Sequence, residues 1–242
     1  MSINGVIVWE GPSEIDGQPV VLIMTGLESK SANRKTGAMV QTYILRSDIP
    51  PVDAYRLGED VSICGACPHR SLASGGSGGC YVTVFHGPRS VWACFKRGGY
   101  PRVSNPEDLL TASGRMLRLG SYGDPGAIPA WVWRKLCGPG TPRTGYTHRW
   151  QDTGADLVGL VMASTDTPEE TRAAQALGWS TFRVAPHDDP LRLAGEARCP
   201  ASEEAGRKTT CDACPMACDG MARPGNAGRV IRAHGASKKR VH

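Results

Sequence analysis

Hydrophobic and polar positions in the first third of the chain follow patterns typical of β-strands. Residues 3–8 (INGVIV) and 20–25 (VVLIMT) are largely apolar runs joined by the polar connection GPSEIDGQ, which predicts a β-hairpin. A third strand is predicted in VQTYILRSD, where Pro50 and Pro51 end the pattern. The stretch YVTVFHGPRSVWACFKRG predicts a short strand followed by a helix.

From residue 106 onward, strand and helix patterns alternate. Helices are predicted at residues 106–114, 130–136 and 167–178, and the last of these has a threonine cap, an acidic first turn and a terminal glycine. Strands are predicted at residues 116–122, 144–150, 157–164, 180–186 and 229–235. This alternation is typical of a parallel sheet with crossover helices. We therefore expect one α/β domain with a mainly parallel, partial TIM-barrel-like sheet, in which an open sheet and a barrel both remain possible.

The predicted organisation has four parts. Residues 1–60 form an N-terminal β extension, and residues 61–198 with 221–235 form the barrel-like core. Residues 199–220 are a cysteine-rich, metal-bound insert, and residues 236–242 are a basic tail.

Composition is that of an ordinary globular protein. The 242 residues are 40% hydrophobic and 21% charged, and no apolar run reaches the length of a membrane span. The N-terminus lacks the pattern of a secretory signal, so we expect a cytoplasmic protein of a bacterial or phage-infected cell, without a membrane partner. The net charge is +5, and Lys238, Lys239 and Arg240 give the tail a charge that suits nucleic acid, although a solvated terminus explains it as well.

Polar and titratable residues follow several of the predicted strands. Because the carboxyl ends of parallel strands meet at one edge of a sheet, these residues predict an active site there. We predict catalytic roles for Asp124, Tyr146, His148 and Asp166, although Asp124 and Asp166 could each simply cap the turn or helix that follows. Predicted substrate-binding residues are Lys35, Ser121 and His234. Lys35 lies in the loop NRKTG, whose cations suit a phosphate or carboxylate, although the pattern favours a solvated hairpin tip.

Nine cysteines, an odd number, argue against a disulfide framework in a reducing compartment and favour metal ligation. Cys199, Cys211, Cys214 and Cys218 have the spacing C-x11-C-x2-C-x3-C. Four thiolates with a CxxC core can close a zinc site or hold an iron–sulfur cluster. A zinc staple without chemistry is an equal alternative at this downstream set.

A second, upstream set contains Cys64, Cys67 and Cys80, in a loop too rich in Gly and Ser to form a regular element. Three ligands imply either a fourth from elsewhere, such as His69, His86 or Cys94, or an iron left open for catalysis. Cys94 and Cys137 look like ordinary packed thiols.

The ordered motifs CPHR…GGCY, GSYGDP, GYTHRW, LVMAST and a closing HG resemble a group of uncharacterised phage and actinobacterial proteins, and more distantly phage radical-SAM-like proteins. That resemblance implies a [4Fe–4S] cluster on Cys64, Cys67 and Cys80, with S-adenosylmethionine on its open iron. The spacing here is CxxC-x12-C, whereas the usual motif is CxxxCxxC. The implied function is a metal-dependent enzyme that modifies a nucleic acid or nucleotide, with the downstream set as an auxiliary cluster or zinc staple.

A weaker resemblance is to tRNA- and DNA-guanine transglycosylases, which are zinc-containing barrels. It implies Asp124 as the nucleophile, His148 or Asp166 as its acid–base partner, and zinc held by Cys211, Cys214, Cys218 and His234. A third interpretation is a non-catalytic, zinc-stapled accessory protein that binds nucleic acid through its tail.

Overall fold

The structure is a computed structural model, and it describes residues 3–28, 33–153, 155–186, 193–206, 208–216, 218–221, 228–234 and 237–241. Within these ranges no helix has both the length and the apolar character needed to cross a membrane.

Nine strands in the described ranges form a single sheet. They are β1 (Gly5–Pro12), β2 (Pro19–Thr25), β3 (Val40–Arg46), β4 (Leu117–Tyr122), β5 (Arg143–Thr147), β6 (Met162–Thr165), β7 (Thr181–Ala185), β8 (Glu196–Arg198) and β9 (Gly228–Arg232). Their order across the sheet is β1-β2-β3-β4-β5-β6-β7-β9-β8. Strands β1, β2 and β3 pair antiparallel, which confirms the predicted hairpin.

The remaining six strand pairs, from β3 to β8, are parallel. The prediction of a mixed α/β fold with a mainly parallel sheet is therefore confirmed. Strands β1 and β8 each pair on one side only, so the sheet formed by the described strands is open rather than a closed barrel.

Six α-helices lie in the described ranges. They are α1 (Pro51–Leu57), α2 (Val61–Cys64), α3 (Gly87–Lys96), α4 (Pro106–Ser113), α5 (Ala130–Leu136) and α6 (Pro168–Ala176). The last four match predicted helices, and α6 is capped by Thr167, whose hydroxyl accepts a hydrogen bond from the Glu170 amide as expected. Helix α1 was not predicted, because Pro51 suggested only a break, whereas a proline at the first helical position favours a helix start.

Two predicted strands are shorter or absent in the structure. Strand β6 begins at Met162, whereas the apolar run was predicted to be a strand from residue 157. Residues 157–161 form turns, in which the amides of Leu160 and Val161 both bond to the Leu157 carbonyl. All three side chains are buried, so the apolar character reflects core packing and not strand pairing. The short strand predicted at the start of YVTVFH is absent: residues 81–83 have no regular structure and residues 84–86 form a turn.

Two hydrophobic clusters hold the sheet. The larger one contains side chains from the hairpin and from the parallel region, including Leu22, Ile44, Leu119 and Trp133, so residues 1–60 share a core with the rest of the chain. The smaller one contains Met162, Phe182 and Ile231 from β6, β7 and β9, together with Cys199 and Ala201. The downstream cysteines are thus attached to the far half of the sheet.

A buried ion pair joins β7 to β8, and it generates a stability prediction. Arg183 Nε donates to Glu196 Oε1 at 2.9 Å, and both side chains have 1% or less of their surface exposed. We expect Glu196→Gln to lower the free energy of unfolding by about 3–5 kcal/mol, because it removes the negative charge from a buried ion pair. Glu169→Gln is the matched control, since the Arg172–Glu169 pair is exposed and contributes about 0–1 kcal/mol. Equal urea midpoints for the two variants would contradict this role of the buried pair.

Candidate active site and cysteine clusters

A cavity of about 620 Å³ lies against the carboxyl ends of the central parallel strands. It brings together nine of the predicted site residues, namely Lys35, Cys64, Cys67, Cys80, Ser121, Asp124, Tyr146, His148 and His234. Asp166 contacts the cavity through two histidines, described below. The four downstream cysteines line a separate, smaller void.

The upstream cysteine loop is held in place by hydrogen bonds and not by regular structure. The amide of Cys67 bonds to the Cys64 carbonyl at 3.2 Å, and the amide of Cys80 bonds to the His69 carbonyl at 2.8 Å. The carboxylate of Asp60, only 2% exposed, accepts from both the amide and the hydroxyl of Ser71. A buried acid thus anchors a segment that Gly and Ser would otherwise leave flexible.

Two thiols of this loop are largely shielded from water. Burial raises the pKa of Cys64 well above its ordinary value and that of Cys80 to about 11. The Tyr122 hydroxyl, which is electrostatically coupled to Cys64 and Cys80, is buried and has no hydrogen-bond partner. Buried hydroxyls normally have partners, so this orphaned donor points to a group that the loop would hold.

Asp166 joins two histidines from different parts of the chain. His69 Nε2 donates to Asp166 Oδ1 at 2.6 Å, and His148 Nε2 donates to Asp166 Oδ2 at 3.2 Å. These three residues are the one group of His, Cys, Asp or Glu in the described ranges whose ligand atoms all lie within 4.8 Å of one another. Two atoms bound to one ion at 2.0–2.2 Å lie at least about 2.9 Å apart, so the 2.6 Å contact is a hydrogen bond.

The electrostatics of this group follow from its bonds. Burial opposes ionisation of Asp166, but the hydrogen bonds from His148 and His69 prevail and hold its pKa well below the ordinary value. Burial likewise opposes protonation of His148, but Cys67 and Asp166 outweigh it and raise the pKa of His148 well above the ordinary value. The result is an imidazolium between a carboxylate and a thiol, which can donate a proton or stabilise a thiolate.

Asp124 accepts three hydrogen bonds. Its Oδ1 accepts from the Gly126 amide at 2.8 Å and from the Thr147 hydroxyl at 2.6 Å, and its Oδ2 accepts from the His148 amide at 2.8 Å. The carboxylate caps the turn at residues 125–127 and joins it to the end of β5. It therefore fixes the backbone of His148, in addition to lining the cavity.

Two cations and three aromatic rings form another wall of the cavity. Lys35 Nζ donates to His234 Nε2 at 3.4 Å, and His234 Nδ1 donates to the Arg232 carbonyl at 3.3 Å, which identifies the neutral tautomer. The ring of His234 stacks on Tyr81 at 5.4 Å. Arg118 donates to the Tyr81 hydroxyl at 2.9 Å and lies 5.0 Å from the centre of the Tyr146 ring.

The downstream cysteines surround a small void that shares Lys35 and Tyr146 with the cavity. The insert attaches to the NRKTG loop, because the Cys211 amide bonds to the Lys35 carbonyl at 2.8 Å and the Ala38 amide bonds to Asp212 Oδ2 at 2.8 Å. Gly37 has a φ of +68°, and any side chain there would collide with the Asp212 carboxylate. The Thr144 hydroxyl at this void is buried without a partner.

Neither cysteine set has the spacing of a single-ion site. In the described ranges no three cysteine sulfurs lie within 4.8 Å of one another, alone or with a histidine or carboxylate. His234, which the transglycosylase resemblance pairs with Cys211, Cys214 and Cys218, forms no such group with them. Tetrahedral zinc at 2.3 Å places its thiolates about 3.8 Å apart, so neither set is arranged as a formed zinc site in the structure.

Sequence reasoning missed three residues of the cavity. Arg118 is a charged residue within the otherwise apolar strand LRL, and that contrast was the available signal. Tyr81 was predicted only as part of a strand. His69 was considered only as a fourth metal ligand, and no local pattern indicates its contact with Asp166.

Comparison with protein-family models, with curated proteins and with solved structures finds no match to this chain. The function is therefore inferred from the geometry of the cavity and its cysteines.

The three bonds to Asp124 generate a prediction. An asparagine is normally as good a cap as an aspartate. At this position, however, its amide group would face the His148 amide or the Thr147 and Gly126 donors, so we expect Asp124→Asn to destabilise the protein by about 1–3 kcal/mol. Thermal unfolding monitored by circular dichroism measures this, with the exposed Asp152→Asn as control. A melting temperature equal to that of the parent would contradict the structural role of Asp124.

Proposed function

We propose that the protein is an iron–sulfur enzyme whose cluster is held by Cys64, Cys67 and Cys80. The observation that carries this proposal is the convergence of the three cysteines on a cavity of about 620 Å³, beside a buried Tyr122 hydroxyl that has no partner. A hydroxyl at this place can donate to a cluster sulfide or a ligating thiolate, and such bonds tune cluster potential. The proposal therefore accounts for both the sulfurs and the orphaned donor.

A cluster suits the spacing of the upstream sulfurs. Each thiolate of a cluster binds a different iron, so the sulfurs of a cluster stand farther apart than those of a zinc site. No three sulfurs of the described residues lie within 4.8 Å of one another, and a cluster does not require them to. Three protein ligands would leave one iron without a protein ligand at the cavity, and such a centre supplies an open coordination position and one-electron chemistry.

The protein's own residues have separable roles under this proposal. His148, oriented by Asp166 and bonded to Cys67, holds a proton at the cavity wall that can be given to a substrate. Asp124 fixes the His148 backbone. Lys35 and Arg118 supply positive charge at the wall lined by Tyr81 and His234.

The resemblance to radical-SAM-like proteins extends this proposal. From this resemblance we propose that the co-substrate is S-adenosylmethionine and that the substrate is a nucleic acid or nucleotide. It also implies that the sheet is a partial TIM barrel. The exposed Lys239 and Arg240 lie in the C-terminal segment, whose Val241 reaches the cavity, so basic side chains stand close to the proposed site.

The downstream cysteines would hold a second metal centre. The orphaned Thr144 hydroxyl fits a donor to that centre. Four thiolates there can hold an iron–sulfur cluster or zinc, and three of them pack against the smaller hydrophobic cluster of β6, β7 and β9.

A second candidate function rests on one contact. Cys67, His148 and Asp166 are connected in series by hydrogen bonds, which is the order of a nucleophile, its base and the residue that orients the base. In the absence of a cluster, this arrangement supports a thiol-dependent transferase or hydrolase. The two candidates differ in whether Cys67 is bound to iron or free to react.

Metal content tests the proposal directly. Protein purified without oxygen is expected to contain iron and acid-labile sulfide, and replacing Cys64, Cys67 and Cys80 by serine is expected to remove about four of each per chain. Cys94→Ser is the matched control, since Cys94 lies on α3 and bonds to Tyr100 away from the cavity. An iron-free parent whose Cys67 reacts with iodoacetamide would refute the cluster and support the thiol-dependent enzyme.

The two centres are expected to be separable. Cys218→Ala should remove only the metal of the downstream set and leave the iron at Cys64, Cys67 and Cys80. It should also lower the melting temperature by about 5 °C or more, because metal binding contributes to folding energy and Cys218 packs against the smaller core. Metal analysis and thermal unfolding measure the two effects. Loss of all iron from this single variant would contradict two independent centres.

A further inference from the structure

We infer that the cavity wall formed by Lys35, Arg118, Tyr81 and His234 recognises a nucleoside 5′-phosphate, with the cations on the phosphate and the stacked rings on the base. The assignment of this ligand as the substrate rests on the proposed function, but its binding does not. The inference names Arg118 and Tyr81 as recognition residues beside the predicted Lys35 and His234.

The positive charges of Lys35 and Arg118 would be stabilised by a bound anion. Arg118 is only 7% exposed, Lys35 is partly buried, and each raises the electrostatic cost of the other's charge. Neither forms a salt bridge with a carboxylate anywhere in the described ranges, and their hydrogen bonds go to Tyr81 and Tyr146 and to His234. Because a buried charge is costly unless it is paired, an oxyanion between them would stabilise both. A phosphate offers several acceptor oxygens to an ammonium and a guanidinium together.

The aromatic rings are tied to the same cations. Tyr81 and His234 stack with an interplanar angle of 28°, Arg118 bonds to the Tyr81 hydroxyl, and Lys35 bonds to His234. Tyr81 keeps 52% of its surface exposed, so the outer part of its ring is accessible to a ligand. Bases stack on aromatic side chains of this kind in proteins that bind nucleic acids. The wall therefore offers charge and a flat apolar face side by side.

The cavity fits this class of ligand. Its volume of about 620 Å³ lies within the range of small-molecule sites, roughly 300–1,000 Å³. Cys64, Cys67 and Cys80 line the same cavity, so a nucleotide on the cationic wall would share one enclosed space with the proposed cluster.

One alternative explains the cations differently. Lys35 and Arg118 also interact with the cysteines of the downstream set, so they could serve only as counter-charges for a metal centre there. In that case, removing a cation would release the downstream metal and would not alter ligand binding. The experiment below separates the two explanations.

The test is calorimetric titration of the anaerobically purified full chain with AMP, GMP, CMP and UMP and with the four matching nucleosides. At least one nucleotide is expected to bind about tenfold or more tightly than its nucleoside, because its phosphate would form charge-assisted hydrogen bonds with the two cations. Lys35→Gln should abolish this preference while iron and zinc contents stay unchanged. The control Lys96→Gln should keep it, because Lys96 bonds to the Ser47 carbonyl on the surface. Tyr81→Leu should lower the affinity for the nucleotide and for the nucleoside by the same factor.

Three results would overturn the inference. They are equal affinities for nucleotides and nucleosides, a phosphate preference that survives Lys35→Gln, and loss of the downstream metal in Lys35→Gln. The iron content of the parent reports separately on the proposed function: an iron-free protein that still prefers nucleotides would refute the cluster and retain the binding site.

Discussion

The parallel pairing of strands β3 to β9 is the constraint on which the rest of the site depends. Parallel strands end at the same edge of a sheet, so residues from distant parts of the chain, such as Ser121 and His234, line one cavity. Apolar side chains of these strands pack into the core, and a polar side chain within a strand, such as Arg118, lines the cavity. The upstream cysteines line this cavity, whereas the downstream set lies beside Thr144 and Tyr146 of β5 and Arg229 of β9.

Much of the fold could be predicted because its signals are local. The hairpin, the helices α4 to α6 and most parallel strands follow from periodicity, caps and terminal glycines. The failures occurred where tertiary packing decides the structure. The apolar run at residues 157–161 is buried in turns, and Pro51 starts a helix whose buried residues, Pro51 and Ala54, face the core.

The residues of the candidate site also fall into those that local sequence patterns predict and those whose contacts depend on tertiary packing. Asp124, His148 and His234 could be predicted, because each follows a strand whose pattern is clear. The contact between His69 and Asp166 could not, since it depends on how the cysteine loop folds over the sheet, and Asp60 sets that path by bonding to Ser71. The structure also gives Asp124, which was predicted to be catalytic, a structural role. Asp124 uses both carboxylate oxygens to hold the turn and the His148 backbone, a role that the sequence does not distinguish from a free acid.

The two cysteine sets differ in how they are attached to the core, and this difference bears on how the site can work. Cys199, Cys211 and Cys218 pack against the smaller hydrophobic cluster, so the downstream set is part of the scaffold that carries β6, β7 and β9. Cys67 and Cys80 belong to a loop held mainly by polar bonds over the cavity. A loop of this kind can adjust to a ligand without disturbing the sheet, because its hydrogen bonds can exchange with water whereas buried apolar contacts cannot. The arrangement therefore places Cys67 and Cys80 on the more adaptable segment and the downstream sulfurs on the scaffold of the sheet.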